Sequence, residues 1–466
     1  MDLGKFLKRF GIHKPVVLTE DSSQFISRTS REFGLYTLYS RAIPLISDGL
    51  KPSQRIPLWL IRNSAEEIKT SSLAGDMIKS ELYMHGDAAA SDTIGLMAAP
   101  YRNNYPYLDG DGQFGSRGAP VEGIGAPRYT SVKRSKFAQA VIYPDLDLAP
   151  LVENYDGSVR WPGTFLPLLP LVLLNGIKGV ATGYSTNILP RRFEDLIEAV
   201  QAVLKGKPIT RLMPYWDRYD LTVELSGVPN KYIVTGRLNR HNTSTVRVTE
   251  LPPDFTLEQF KERLLELEGK DRIEGFVDST TDNISVDVKF TRATLEGMTD
   301  SALLDLLRVR QSTTERIVVI DYDGNVAQYD TAESVVAEFV KWRLEFYLTR
   351  YQNLAAKTVQ EQLFWLCLLA CLDADLPKFL KNIEDRSGLN RKINDIVIHA
   401  GLPVQINILD RLSSLPSYRW TQAGKEEAKQ HISDCEARLS EYEAIIASPA
   451  KRKAIYLDEV SDLRKL

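Results

Sequence analysis

Residues 123–144 read GIGAPRYTSVKRSKFAQAVIYP. The run holds Arg128, Lys133, Arg134 and Lys136 and no acidic residue, which makes it an electrostatic seat for phosphates. Tyr129 follows Arg128 directly, just after a glycine-rich loop. A phenol is a competent nucleophile toward a phosphodiester and also leaves well. A phosphotyrosine link therefore keeps the energy of the bond it replaces and can be resealed without a further energy source. Such chemistry needs a neighbouring cation to offset charge on the pentavalent transition state, and Arg128 is adjacent. Local composition alone also allows a plainer reading: Tyr129 is one of 20 tyrosines, and Arg128 a surface charge.

Other residues point to a polyanion without fixing the chemistry. Arg41, Lys51, Arg55 and Arg62 form a basic series around RAIPLISDGLKPSQR. His85 opens HGDAAASDTIGLMAAP, in which Asp87 is placed to cap a small-residue helix and leave its amides facing a phosphate. Ala88, Ala89, Ala90 and Ser91 would let that helix approach a duplex closely, or equally let it pack against a neighbouring helix. His85 itself reads either as a donor to a non-bridging oxygen or as a residue of the cap.

These residues sit in a chain of 466 residues, long enough for two to four domains. Apolar content of 43% and charged content of 26% are ordinary for a globular protein. A net charge of −3 means that any nucleic-acid surface must be a local patch. Cys367, Cys371 and Cys435 form no CxxC pair, which speaks against a disulfide framework or a zinc site and fits a reducing cytoplasm. No signal peptide or membrane span is expected.

The chain divides by pattern. Residues 1–30 read as an arm, and 31–195 as a glycine- and proline-rich unit that alternates helices with loops. Residues 196–331 carry alternating runs such as YIVTGRL, TVRVTEL and ISVDVKF, a separate α/β unit with a helix near 256–270. Residues 332–376 lack glycine and proline. Val340, Leu344, Tyr347, Tyr351, Leu354 and Thr358 form a seam that Trp365, Leu368 and Leu372 continue. Some 40 residues of helix span roughly 60 Å, ended by Pro377. Residues 377–418 read as a knot of short helices, and 419–466 as a return helix (420–447) with a tail. The pattern predicts an antiparallel coiled-coil stalk with a globular tip; an ordinary helical bundle is the alternative.

Taken together, the motifs resemble those of the A-type subunits of type IIA DNA topoisomerases, the DNA gyrase A and topoisomerase IV A family. In its brevity the chain is most like the medium subunit of tailed-phage topoisomerases. The resemblance covers roughly residues 31–450. RAIPLISDGLKPSQR is similar to the family's RALPxxxDGLKPxxRR, HGDAAASDTI to HGDxxxYDTI, LDGDGQFGS to DGQGNFGS, and APRYT to the AAxRYT that carries the nucleophilic tyrosine. ENYDG, LPLVLLNGIKGVATGYSTNILP and TELP follow in family order.

The resemblance implies an α+β multidomain chain: a winged-helix (helix-turn-helix) DNA-gate domain, an α/β tower, and a long antiparallel coiled coil with a small helical exit gate. It implies that Tyr129 forms a transient 5′-phosphotyrosyl link, that Arg128 steadies the transition state, and that His85 and Arg41 act at the reacting phosphate. Lys51, Arg55, Lys133 and Arg134 would hold the backbone of double-stranded DNA. Val180 would enter a base step, a bend whose unstacking costs about a few kcal/mol. The enzyme would be a homodimer that relaxes or decatenates DNA in the cytoplasm of a bacterium or phage-infected host. The chain has no GxxxxGK[ST] loop and no EGDSA…DxD module. Mg2+ and ATP are therefore expected on a B-type (large) partner subunit in a heterotetramer. A wrapping β-propeller after the return helix is not expected. Departures from the family are Gln54, Ile56, Ser91, Asp111, Gln113 and Ala88. Ala88 stands where bacterial enzymes usually carry the serine that anchors the quinolone water–metal bridge, so weak quinolone sensitivity by that route is expected. Two other readings compete: a non-catalytic DNA-binding protein of the same fold, and a tyrosine recombinase. The latter needs an Arg…His-x-x-Arg arrangement that the five histidines do not make.

Overall fold

In a computed structural model, residues 21–119, 124–379 and 385–466 are described. Residues 1–20 of the expected arm lie outside these, and helix α1 (Ser22–Thr37) already falls within its second part. It runs into a π-turn at Leu38–Ala42, a rare geometry that often marks functional sites. Helices α2 (Pro52–Leu60), α3 (Thr70–Lys79) and α4 (Asp87–Ala98) then pack on one another. They sit with a three-stranded antiparallel sheet in the order β1 (Ile68–Lys69), β3 (Ser131–Arg134), β2 (Leu108–Asp111). Three helices with a small wing match the expected winged helix. Alternation along β3 sends Val132 into the core and leaves Lys133 exposed.

Hairpin β4 (Leu151–Glu153) and β5 (Arg160–Pro162) is followed by a second hairpin, β6 (Ile177–Ala181) and β7 (Tyr184–Ile188). Helix α5 (Phe193–Leu204) buries Phe193, Leu196, Ile197, Val200 and Leu204, a spacing that lines one helical face.

The α/β unit holds a sheet ordered β10 (Arg237–Arg240), β11 (Thr245–Glu250), β13 (Val286–Lys289), β12 (Gly275–Asp278), covered by helix α6 (Leu257–Glu268). A second sheet is ordered β14 (Arg310–Thr314), β9 (Lys231–Thr235), β8 (Thr222–Leu225). The buried residues of its separate apolar core lie between Val246 and Val309, with Leu238 packed against them. Expected boundaries at 196 and 331 therefore need correction. Leu196, Ile197 and Val200 belong to the core of the preceding unit, as do Ile317 and Val319 of hairpin β15 (Ile317–Ile320) and β16 (Val326–Tyr329). The buried Arg191–Glu315 pair, at 2.7 Å, fastens that return connection.

Helix α7 runs unbroken from Ala332 to Asp373, 42 residues or roughly 60 Å. It lies along α9 (Gln422–Ala447), and the seam residues Val340, Tyr347, Thr358 and Leu368 are buried. Tyr351 meets Tyr442 and Trp365 stacks on His431 across the seam. The helix ends before Pro377: Asp375 adopts a left-handed φ of 49°, and Pro377 lies inside the next turn, Leu376–Phe379. Residues beyond the return helix, expected as a tail, instead form helix α10 (Pro449–Asp462), started by Pro449 in its first turn. Its Tyr456 is buried and donates to the Leu168 carbonyl at 2.9 Å, tying the stalk base to the winged-helix unit. Between the stalk helices, Arg386–His399, which we label α8, and the short helix Ile406–Ser413 pack with the stalk end. The three cysteines are free and buried. Among the described residues no helix is long and apolar enough to cross a membrane.

Candidate active site

Tyr129 stands on the loop between a turn and β3, with 70% of its surface exposed. Its amide donates to the Ala126 carbonyl at 2.8 Å, closing the turn. The Arg128 guanidinium lies over its ring, 4.8 Å from the centroid. Arg128 is itself exposed, so cation and phenol are presented outward together.

Arg41 leaves the π-turn and donates from Nη2 to His85 Nδ1 at 3.3 Å. Tyr83 meets the His85 ring edge-on at 5.2 Å, and Tyr36 lies 5.9 Å from the Arg41 guanidinium carbon. Burial lowers the His85 pKa from its ordinary value, and Arg41 lowers it further. An arginine can only donate, so Nδ1 is the acceptor and Nε2 carries the proton. His85 is thus a neutral donor near pH 7. The shift can be read directly, because the chain has only five histidines. In an NMR titration the His85 imidazole should protonate below its usual pKa of about 6.5. In Arg41→Leu the midpoint should rise while staying depressed, because burial is the larger cause. An unchanged midpoint in Arg41→Leu would contradict this geometry.

The HGD segment is not capped as expected. Gly86 occupies the cap position of α4 without a side-chain bond, and Asp87 is the first helical residue. Its charge still lies in the first turn, where it opposes rather than assists an anion. Ala88 and Ala89 face solvent while Ala90 is buried. The small-residue face is therefore partly open and partly a packing surface.

Lys51 caps α2, and Gln54 accepts its backbone N–H at 3.0 Å. The glutamine that departs from the family pattern thus serves as a cap partner. Lys51 Nζ donates to the Lys178 carbonyl at 2.9 Å. Its pKa is lowered, first by burial and then by Arg102, a like charge with which it lines a cleft of about 520 Å³. Val180 lies near the tip of the β6–β7 hairpin and is 85% exposed. At Gly179 a Cβ would fall 1.9 Å from the Ala42 carbonyl oxygen, so only glycine lets the hairpin seat against the π-turn.

Two expected DNA contacts face elsewhere. Arg55 is buried, its Nε 2.6 Å from Asp48 Oδ2 and its Nη2 3.0 Å from Oδ1, and it also donates to the Leu50 carbonyl. It braces the loop that carries Lys51 and does not reach solvent. Arg134 is half-buried, lies 5.1 Å from the Tyr143 ring centroid and donates to the Arg62 carbonyl. Ile56, another departure, is a core residue.

Direct contacts thus link Arg41 to His85, Lys51 to Lys178 and the Gly179–Val180 strand to Ala42. No hydrogen bond or ring contact among the described residues joins this group to Arg128 and Tyr129. Tyr36 and Tyr83 were missed in the sequence, though Tyr83 stands two residues before His85. Among the described residues no group of three or more His, Cys, Asp or Glu is placed to hold a metal ion.

A winged-helix unit that presents an exposed Arg–Tyr pair and a hairpin with an exposed valine near its tip is the outline of a DNA breakage-and-rejoining subunit. The family model for the A subunit of DNA gyrase and topoisomerase IV matches residues 41–461, and the chain belongs to that family. It is 28% identical over 442 residues to the DNA topoisomerase medium subunit of Enterobacteria phage T4, covering 91% of this chain and 94% of that one. It is 29% identical over 402 residues to DNA topoisomerase 2 of Candida albicans, covering 83% of this chain but only 27% of the relative. The fold matches the crystal structure of the Plasmodium falciparum topoisomerase II DNA-binding, cleavage and re-ligation domain, with a TM-score of 0.81 at 23% identity. That match covers 95% of this chain and 64% of the other.

Proposed function

We propose that this chain is the cleavage and re-ligation subunit of an ATP-dependent type IIA DNA topoisomerase. The outward-facing Arg128–Tyr129 pair on a family-matched winged helix carries the reading. Tyr129 Oη bonds to the phosphorus as the bond from phosphorus to the 3′ oxygen breaks. The phenol gives up its proton and the released 3′ oxygen takes one, and reversal reseals the strand. Arg128 offsets charge on the transition state, while the neutral Nε2–H of His85, held by Arg41, donates to the reacting phosphate. Lys51 and Lys133 face the DNA backbone. Val180 inserts between base pairs; in Val180→Gly a doubly labelled duplex should bend less on binding, as read by energy transfer between its ends.

Divalent metal supplies electrostatic stabilisation in this chemistry. We place its ligands, like the ATP site, on a B-type partner, because the sequence carries no EGDSA…DxD module and no GxxxxGK[ST] loop. Two copies of this chain cut opposite strands. Ile398 and Ile406, 58% and 79% exposed at the stalk tip, are the apolar surface through which the copies meet at the exit gate. Ile406→Asp should weaken self-association in sedimentation. End-labelled DNA incubated with this chain, Mg2+ and a B-type partner tests the whole reading: protein should become attached at both 5′ ends. Free 5′ ends under conditions where DNA is bound would overturn it.

A further inference from the structure

We infer that the hydroxyl pair Thr70–Thr130 is the device that positions Tyr129, an assignment that rests on the nucleophile reading above. The tyrosine cannot be held by its own side chain. It is 70% exposed, and among the described residues its ring meets only Arg128, itself exposed. Whatever aims its oxygen must act through the backbone on either side.

Both flanks of that backbone are fastened to the N-terminus of α3. The Thr70 amide donates to the Thr130 carbonyl at 3.0 Å, and the Ser71 amide donates to the Pro127 carbonyl at 3.1 Å. The first turn of a helix has amides with no partner inside the helix, and here two of them grip the tyrosine loop on both flanks. Thr130 Oγ1 donates to Thr70 Oγ1 at 2.8 Å, and both residues are only 2% exposed. Neither hydroxyl can turn to water if its partner is lost.

The methyl of Thr130 is boxed as well. A Cβ on Gly112 would lie 3.3 Å from Thr130 Cγ2, and one on Gly125 would lie 3.2 Å from it. Gly112 also has a φ of +103°, and the same Cβ would lie 3.4 Å from the Tyr129 carbonyl oxygen. Gly112 of the LDGDGQFGS segment and Gly125 therefore close around Thr130. They position the nucleophile's neighbour. Thr70 and Thr130 are positioning residues: they act through Tyr129 and touch no substrate.

The test uses the full chain with its B-type partner, Mg2+ and end-labelled DNA. Thr70→Val and Thr130→Val keep the shape and remove one hydroxyl each. A misplacement near 1 Å costs about 10²-fold in rate. Each single variant should therefore cut about 10- to 100-fold more slowly at saturating DNA, with the affinity for DNA unchanged. The double variant should be no slower than the slower single one, because both changes remove the same bond. Thr130→Ser and Thr70→Ser should cut near the wild-type rate. Rates are taken well below the melting transition of each variant, so that lost folding does not count as lost cleavage. If Tyr129→Phe is inactive while both valine variants cut like wild type, the positioning role is wrong and the nucleophile stands. The positioning role is equally wrong if the two valine effects simply multiply, or if the serine variants are as slow as valine. If Tyr129→Phe itself still cuts, both assignments fall.

Discussion

Tyr129→Phe is expected to abolish covalent attachment to DNA completely, whereas Arg128→Ala should slow it about 10²- to 10³-fold, the usual effect of removing one transition-state donor. The two changes remove different things. Phenylalanine keeps the ring that sits 4.8 Å from the Arg128 guanidinium carbon and deletes only the oxygen. Binding of DNA should persist, since the cations are untouched. Alanine at 128 leaves the phenol in place and deletes the charge that we propose offsets the five-coordinate phosphorus. Single-turnover cleavage followed by denaturing gels, with DNA affinity measured in parallel, separates them. A Tyr129→Phe variant that still carries label into the protein band would end the assignment of the nucleophile. An Arg128→Ala variant as fast as wild type would reduce Arg128 to a ring neighbour.

Not all of this site was equally legible in the sequence. Arg128 and Tyr129 stand side by side in a short motif, and adjacency on an exposed loop leaves little for tertiary structure to overturn. The stalk was legible for a different reason: a seam over 42 residues without glycine or proline fixes one face of a helix. Arg55 was read as a DNA contact because the family resemblance of RAIPLISDGLKPSQR implies one, in a basic series with Arg41 and Lys51. Residue type does not say which way a cation points. The acid that captures it, Asp48, stands seven residues earlier in the same motif, where it reads equally well as a loop residue. Asp87 misled similarly, since the glycine before it already supplies the extended backbone of a cap. The Thr70–Thr130 bond joins residues sixty positions apart, a pairing that no local pattern encodes. The tower boundary was set by a change from helical to alternating pattern. Helix α5 is amphipathic enough to belong to either side, and only packing assigns it to the winged-helix core.

The corrected role of Arg55 leads to the second large effect, on stability. Asp48 is fully buried and its carboxylate takes four bonds: two from Arg55, one from the Leu50 amide at 3.0 Å and one from the Phe165 amide at 3.0 Å. Arg55→Ala would leave that carboxylate charged and half-satisfied inside the core. Breaking a buried pair on one side typically costs about 3–5 kcal/mol. The melting transition of the winged-helix unit should therefore fall by on the order of 10 °C. Arg55→Lys separates this role from a grip on DNA. Lysine keeps the positive charge that a phosphate contact needs, but it cannot span both oxygens of Asp48. It should thus lower the melting temperature by several degrees while leaving the salt dependence of DNA binding unchanged. A phosphate contact would give the opposite pattern in Arg55→Ala: little loss of stability, and a slope of log affinity against log salt shallower by about 0.9. Lys51, the cap residue of the helix that carries Arg55, is the control, since its partly exposed side chain should show that salt signature when changed to alanine, with little change in melting.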